Sequence, residues 1–193
     1  DSFRHGPETE WQRRDSGTGG FALVGESASP IYEDLNSQKG RDAYGLDEQL
    51  MSGVRVVQMR VRDGDDASCL NLNRASQPRL LGVKPSELTN LNAFAIKSIG
   101  GWYGSGEPAQ PPLREKSAAA AWAMLNEEHA DDAVPAIVDG NTLQWALKMS
   151  LGDAIQYQGD RGEAFSARIV ASLGTSILQG QLLISEEQFV RRF

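Results

Sequence analysis

Short runs of apolar residues recur along the chain and predict buried strands. Phe21–Val24, Val134–Val138 and Leu182–Ile184 lack the polar alternation of a half-exposed strand, which is typical of strands that are covered on both faces. A predicted helix follows each of these three runs. We therefore expect Phe21–Val24 to lie in the same sheet as one of the two later runs, although more than 100 residues separate them.

Helix starts are marked by residues that can satisfy the backbone N–H groups of a first turn. Ser29 is a good N-cap and Pro30 suits the first helical position, so a short helix is predicted to begin near residue 30. Asn141 can cap a second helix, which carries the apolar residues that follow it. Ser185 and Gln188 have the spacing of a capping box and predict a third helix.

Alternating apolar and polar residues predict further strands. Apolar and polar residues alternate over Val57–Arg62, which indicates a half-buried strand whose solvent-exposed face is basic. Ile155–Tyr157 and Phe165–Ile169 alternate on either side of a Gly-rich turn and predict a hairpin. Leu80–Val83 is another strand-like run, and Ser117 can cap an alanine-rich helix. The order of these elements indicates the α+β class.

The charge and composition exclude several classes of protein. The 193-residue chain has 26 acidic and 19 basic residues, with a net charge of −7. A surface that binds nucleic acid would require the opposite sign, so nucleic acid is not expected as a partner. The longest apolar run, Ala118–Leu125, is too short for the about 20 residues that a membrane crossing needs.

The two ends of the chain suggest a domain cut from a longer protein. Residues 1–19 are polar, with glycines near their end, and are predicted to form a tether. An apolar stripe at Phe189, Val190 and Phe193 stops abruptly at the other end. A mature secreted protein after processing is the alternative interpretation.

A serine nucleophile is a candidate at Ser27. Gly25–Ser29 lies between a predicted strand and a predicted helix, where a hydrolase would place its nucleophile. His129 is the downstream histidine that could act as the base. Ser29, however, occupies the position where the tight turn requires a second glycine. An ordinary capped turn explains the pattern better, and we predict no hydrolase activity.

Neither the acidic turn nor the cysteine predicts a metal site or a cofactor. Asp63, Asp65 and Asp66 could hold a hard cation, but their spacing departs from that of a calcium loop. A solvated acidic turn is the better interpretation. Cys69 lies beside apolar residues without a neighbouring cation, so we expect a buried, structural thiol.

Two aromatic residues are possible contacts for a partner or ligand. Trp102 and Tyr103 lie in a Gly- and Pro-rich loop that spans residues 100–112. Their faces could form a platform on which a sugar or a base stacks. Aromatic residues in such loops more often anchor the loop to the core.

Eight motifs follow one another in a particular order: Ser27–Tyr32, Asp65–Leu72, Leu81–Val83, Val134–Asp139, Asn141–Leu143, Leu151–Asp153, Gln179–Ser185 and Phe189. Together they resemble the large extracytoplasmic domain of FtsX/MacB-type ABC-transporter permeases. The resemblance covers residues 20–193. Its specificity lies in the ordered set, since each short motif is weak alone.

The resemblance implies an α+β fold, that of a MacB-like periplasmic core domain. Residues 20–53 and 130–193 would form a porter-like lobe of mixed sheet and helices, and residues 54–129 would form a second, inserted lobe. In this family the domain has no catalytic residues and no cofactor. It transmits the ATP-driven motion of the membrane helices to a substrate or partner outside the membrane.

The implied location is the extracytoplasmic (periplasmic) face of the bacterial inner membrane. The implied partners are the protein's own transmembrane helices, a cytoplasmic ATPase subunit or domain that binds ATP, a second permease copy, and a periplasmic adaptor or lipoprotein.

Two other functions remain open on the residues alone. One is a free extracytoplasmic module that binds a ligand on Trp102 and Tyr103. The other, with less support, is a serine hydrolase that uses Ser27. A transmembrane helix just before Asp1, and about three after Phe193, in the complete gene would favour the permease over both.

Overall fold

Residues 12–64, 77–100, 117–129 and 131–193 are described by the computed structural model. They form two compact units. The sheet unit contains the described residues of 12–22 and 59–193, and the loop unit contains residues 23–58. These bounds differ from those of the two lobes that the resemblance implies, because strands from 54–129 and from 130–193 share one sheet.

The described residues confirm the α+β class. The strands are β1 Arg60–Arg62, β2 Arg79–Val83, β3 Ile96–Ile99, β4 Val134–Asp139, β5 Ala154–Gln158, β6 Ala164–Leu173 and β7 Gln181–Ser185. The helices are α1 Gln38–Ala43, α2 Pro85–Leu91, α3 Ala118–Met124, a π-helix over Thr142–Leu147 and α4 Glu186–Arg192. None of the helices in the described ranges has the length and apolar character that a bilayer crossing demands.

The seven strands form one mixed sheet in the order β1-β2-β7-β4-β6-β3, and β5 also pairs with β6. The pairs β2–β7 and β4–β6 are parallel, whereas the other pairs are antiparallel. The Tyr157 hydroxyl on β5 donates to the Pro78 carbonyl at 2.9 Å, just before β2. Since β5 and β2 are far apart in the strand order, the sheet curls around its core.

The concave side of this sheet holds a core of aliphatic and aromatic side chains. Val134, Val138, Leu182 and Ile184 from the two central strands are 1% exposed or less. Phe189 of α4 packs over Gly82, where an added Cβ would lie 2.7 Å from the Phe189 Cβ. The glycine in β2 therefore provides the space that α4 needs to cover the core.

Several predicted elements are confirmed. Val134–Val138 and Leu182–Ile184 lie within buried strands, and β5 and β6 form the predicted hairpin with Tyr157 opposite Phe165. The side-chain oxygen of Ser117 accepts a hydrogen bond from the Ala120 N–H and caps α3. The Ser185 hydroxyl caps α4 in the same way, through the Gln188 N–H.

The predicted strand Phe21–Val24 is wrong. The segment has no strand structure, and Leu23 and Val24 are 91% and 68% exposed. Both sides of the two central strands are already occupied, because β4 lies between β6 and β7 and β7 lies between β4 and β2. The Phe21 ring instead contacts the Phe94 ring, with 5.9 Å between the centroids.

The helix predicted near Pro30 is also wrong, because α1 begins at Gln38. The segment before it is held by a local bond from the Asn36 N–H to the Asp34 carboxyl group, which competes with helix formation, and by side-chain bonds to residues 56 and 58. The Asn36 side chain bonds to both the N–H and the carbonyl of Val56, at 2.8 Å each. The Gln58 side chain likewise bonds to the Leu35 N–H and the Glu33 carbonyl. Two amide side chains therefore join residues 33–36 to residues 56–58, where a strand pair would use its backbone.

The half-buried strand predicted over Val57–Arg62 is wrong in its extent and burial. All three residues of β1 are exposed, because β1 lies at the edge of the sheet. Arg60 pairs with Glu186 at 2.9 Å, and Arg62 pairs with Asp160 at 3.0 Å. Charged side chains on an edge strand oppose its pairing with other chains.

The described part of the predicted tether, residues 12–19, is anchored to the sheet unit. The Phe94 N–H donates to the Arg14 carbonyl at 2.7 Å, and the Ile177 N–H donates to the Gly17 carbonyl at 2.9 Å. An added Cβ at Gly17 would meet the Thr175 carbonyl oxygen at 2.5 Å. The glycines thus allow close packing of the tether residues. We call the whole described N-terminal segment of the sheet unit, residues 12–22, the strap.

Replacing Gly19 with alanine is expected to loosen the strap. Gly19 has a φ of +65°, and an added Cβ would lie 2.8 Å from the nearest atom of the Phe94 ring. We expect the free energy of unfolding to fall by about 1–3 kcal/mol. Trypsin should also cut faster after Arg13 and Arg14. Gly25→Ala is the control, because no atom lies within 4 Å of its added Cβ. Equal stability of the two variants would contradict the packed strap.

Candidate functional site

The residues that sequence reasoning selected do not assemble into one site among the described residues. Trp102, Tyr103 and Cys69 lie outside the described ranges, as do Asp65 and Asp66 of the acidic turn. Their predicted roles stay predictions. Asp63 is described, and its carboxyl group pairs with Arg79 at 3.0 Å on an exposed part of the sheet unit.

Ser27 and His129 belong to different units. The Ser27 hydroxyl donates to the Ser29 carbonyl and accepts from the Ser29 N–H, which is the local turn that its sequence context favours. His129 lies in the sheet unit, with its Nε2 atom 3.5 Å from a Glu127 carboxyl oxygen. The hydrogen bonds of Ser27 are thus those of an ordinary capped turn.

Burial lowers the pKa of His129 below its ordinary value, and Arg168 acts in the same direction. The carboxylates of Glu127 and Asp131 oppose this shift. The imidazole of His129 therefore binds its proton more tightly in the unfolded chain than in the folded one. The contribution of His129 to stability is complete above about pH 6.5, and it is lost as the pH falls through the lowered pKa of the folded state.

His129→Gln should therefore flatten the pH dependence of stability below about pH 6.5. The measurement is denaturant unfolding of both proteins at a series of pH values. A variant whose profile keeps the full slope of the wild type in this range would contradict the lowered pKa of the half-buried His129.

A shallow groove at one end of the sheet is the concave feature of interest among the described residues. Asn141, Thr142, Trp145, Ala146, Gln179 and Gly180 line a volume of about 440 Å³. The groove lies where β4 ends and β7 begins, because these strands run antiparallel with Val138 opposite Leu182. The pairing brings together two lining segments that are distant in the sequence.

Asp139, at the end of β4, holds the two sides of the groove together. Its side chain is fully buried and accepts hydrogen bonds from the N–H groups of Asn141 and Thr142. Its other carboxyl oxygen accepts from the N–H and the hydroxyl of Ser176, at 2.8 and 3.1 Å. One carboxyl group therefore fixes the start of the π-helix against the loop formed by residues 174–180.

Two further hydrogen bonds tie this loop to the π-helix. The Gly180 N–H donates to the Thr142 hydroxyl oxygen at 2.8 Å, and the Asn141 amide donates to the Thr175 hydroxyl at 3.1 Å. The same loop receives the strap through the Ile177 N–H and the Gly17 carbonyl. The groove is thus built on a rigid support that also contacts the strap.

The π-helix presents Trp145 to solvent. Thr142 and Leu143 are buried against the sheet unit, whereas Trp145 is 70% exposed. A π-helix is wider than an α-helix and is frequent at functional sites. It ends at Lys148, which has a left-handed φ of 54°. The exposed indole is the largest side chain on the groove.

Sequence reasoning placed Asn141 as the cap of this helix, but its side chain makes no capping hydrogen bond. Asp139 has that role instead, and the Asp139-Gly140-Asn141 sequence contained a signal for it, because aspartate commonly bonds to the backbone two residues later. The groove around Trp145 was not predicted.

Within the described ranges, no three histidine, cysteine, aspartate or glutamate side chains come together as a metal site requires. Comparison with family models, with curated protein sequences and with solved structures gives no match.

Proposed function

We propose that this chain is the extracytoplasmic domain of an FtsX/MacB-type ABC-transporter permease, on the periplasmic face of the bacterial inner membrane. It transmits ATP-driven motion of the membrane helices to a substrate or partner, and it performs no catalysis. ATP is bound by a separate cytoplasmic subunit or domain, and the further partners are a second permease copy and an adaptor or lipoprotein. The proposal originates in the ordered motifs, and four features of the described residues support it.

The observation that carries the proposal is that segments near both ends of the chain are anchored to one sheet. The strap bonds to the loop of residues 174–180, and α4 follows β7 directly. A domain that transmits motion from membrane helices needs such rigid attachment. A flexible attachment at either end would let the helices move without moving the domain.

The end of α4 is held by aromatic and cationic contacts. The Phe193 ring lies 5.0 Å from the Phe189 ring and 6.1 Å from the Phe165 ring, between centroids. The Arg192 guanidinium lies over the Phe165 ring at 4.7 Å and donates to the Gln188 side chain at 2.6 Å. These contacts resist rotation of α4 against the sheet, since cation–aromatic contacts strengthen when buried.

The motif residues of the C-terminal third are structural. All six residues of β4 and four of the five residues of β7 are buried. Leu151-Gly152-Asp153 bonds to β6 through the Gly152 N–H and the Asp153 carbonyl. Val134–Asp139, Leu151–Asp153 and residues 182–185 thus belong to a packed scaffold, which fits a mechanical role.

The loop unit supports the proposal through its surface. Among the described residues, six of the ten large hydrophobic side chains that are exposed lie within residues 23–58: Leu23, Val24, Tyr32, Tyr44, Leu50 and Val54. Exposed apolar side chains that form one contiguous patch commonly face a membrane or another protein. A permease offers both.

Fractionation of a bacterium that expresses the complete gene product tests the proposal. We expect the protein in detergent-solubilised inner membranes, together with an ATPase activity that copurifies with it. A variant of the copurifying ATPase that cannot hydrolyse ATP is the control, and it should lose the activity while it still copurifies. A complete gene product that is soluble and associates with no ATPase would contradict the proposal and favour the ligand-binding module.

A further inference from the structure

The lining of the groove restricts what can bind there. None of its six residues is charged, so an ionic ligand would lose its hydration without gaining a counter-charge. The lining contains one large aromatic ring, Trp145, and the side-chain amides of Asn141 and Gln179. A side-chain amide both donates and accepts hydrogen bonds.

The backbone N–H groups of four of the six lining residues are already paired. The N–H groups of Asn141 and Thr142 bond to Asp139, the Gln179 N–H bonds to the Ser176 carbonyl, and the Gly180 N–H bonds to the Thr142 hydroxyl. A peptide that binds by strand addition needs unpaired backbone groups at its site. A phosphate bound by backbone N–H groups needs them as well. These four N–H groups are therefore not available to a ligand, and the side chains of the groove are the donors that it offers.

We propose that the Trp145 groove binds a neutral sugar ring of an oligosaccharide. One face of a pyranose consists of C–H groups and can lie flat on the indole. Its edge carries hydroxyls that donate and accept, and these match the amides of Asn141 and Gln179. The 70% exposure of Trp145 suits a ring that approaches from solvent.

Gly180 contributes open space to the same groove. No atom lies within 4 Å of the position that an added Cβ would take at Gly180. The volume of about 440 Å³ is within the range of small-molecule sites. The proposal goes beyond the proposed permease function, and a sugar could bind whether or not the chain belongs to a transporter.

The test uses the full 193-residue chain labelled with ¹⁵N and titrated with maltotetraose, cellotetraose and the trimer of N-acetylglucosamine. With at least one of these we expect saturable shifts of the Trp145 indole N–H and of the Asn141 and Gln179 amide signals. The indole N–H of the buried Trp122 should not move.

Trp145→Ala should weaken the binding at least roughly tenfold, because it removes the aromatic face on which the sugar ring lies. Trp145→Phe keeps a flat ring and should retain most of the affinity. Tyr32→Ala is the matched control, because Tyr32 is 80% exposed and lies in the loop unit. It should leave the binding unchanged.

Three results would overturn the proposal. One is the lack of any saturable shift with all three oligosaccharides. Another is a shift confined to Trp102, which would place the sugar on the loop of Trp102 and Tyr103. The third is an effect of Tyr32→Ala as large as that of Trp145→Ala.

Discussion

Replacing Asp139 with alanine is expected to lower the free energy of unfolding by about 3–5 kcal/mol, because four donors lose a buried acceptor. The N–H groups of Asn141, Thr142 and Ser176 and the Ser176 hydroxyl all bond to this one side chain. Denaturant unfolding monitored by circular dichroism measures the loss.

Asp153→Ala is the matched control for this prediction. Asp153 also accepts a hydrogen bond from a backbone N–H, that of Ser150 at 2.8 Å, but it lies at an exposed turn. Its replacement should cost about 1 kcal/mol or less. If both variants lost similar amounts of stability, the central role of Asp139 would be contradicted.

Replacing Trp122 with alanine is expected to cost about 3–5 kcal/mol, because a large buried ring leaves a cavity. Trp122 on α3 has no exposed surface, and its ring meets the Phe94 ring edge to face at 6.3 Å. Its indole N–H donates to the Ala93 carbonyl at 3.1 Å. The loss should appear as a lower denaturant midpoint and as faster proteolysis of α3.

Trp145→Ala is the matched control, since it removes the same side chain from an exposed position. Its effect should be within about 0.5 kcal/mol, as for most surface substitutions. Equal losses in the two tryptophan variants would show that the burial assigned to Trp122 is wrong.

Two strands of the C-terminal third, β4 and β7, could be predicted from the sequence because burial on both faces removes the polar alternation. Val134–Val138 and Leu182–Ile184 became β4 and β7 in this way. Phe21–Val24 has the same pattern, yet it forms no strand. An apolar run shows that a segment can be buried in a sheet. It does not show which of several such runs pair with the central strands. Arg79–Val83 took the position beside β7.

The groove could not be predicted for two physical reasons. Its two sides, near Asn141 and Gln179, are almost 40 residues apart and meet through the antiparallel pairing of β4 with β7. The π-helix also changes the periodicity that sequence patterns use to tell inside from outside. The exposure of Trp145 therefore depends on tertiary structure.

The glycines of the strap show a related limit. Gly17, Gly19 and Gly20 were interpreted as signs of a flexible tether. In the structure Gly17 lies against the Thr175 carbonyl and Gly19 lies against the Phe94 ring. Because glycine has no side chain, it allows both a flexible backbone and close contact between the backbone and its neighbours. The sequence alone does not distinguish these two uses.

The side of the membrane on which the sheet unit lies is the most direct test of the proposed permease. Arg161, in the exposed turn between β5 and β6, is replaced by cysteine in the complete gene product, with Cys69→Ser removing the native thiol. Leu178→Cys in the same background is the buried control, since Leu178 is 3% exposed. We expect a maleimide that cannot cross the inner membrane to label position 161 in intact bacteria and to label position 178 only after denaturation. Labelling of position 161 only after the cells are lysed would place the domain in the cytoplasm and contradict the proposal.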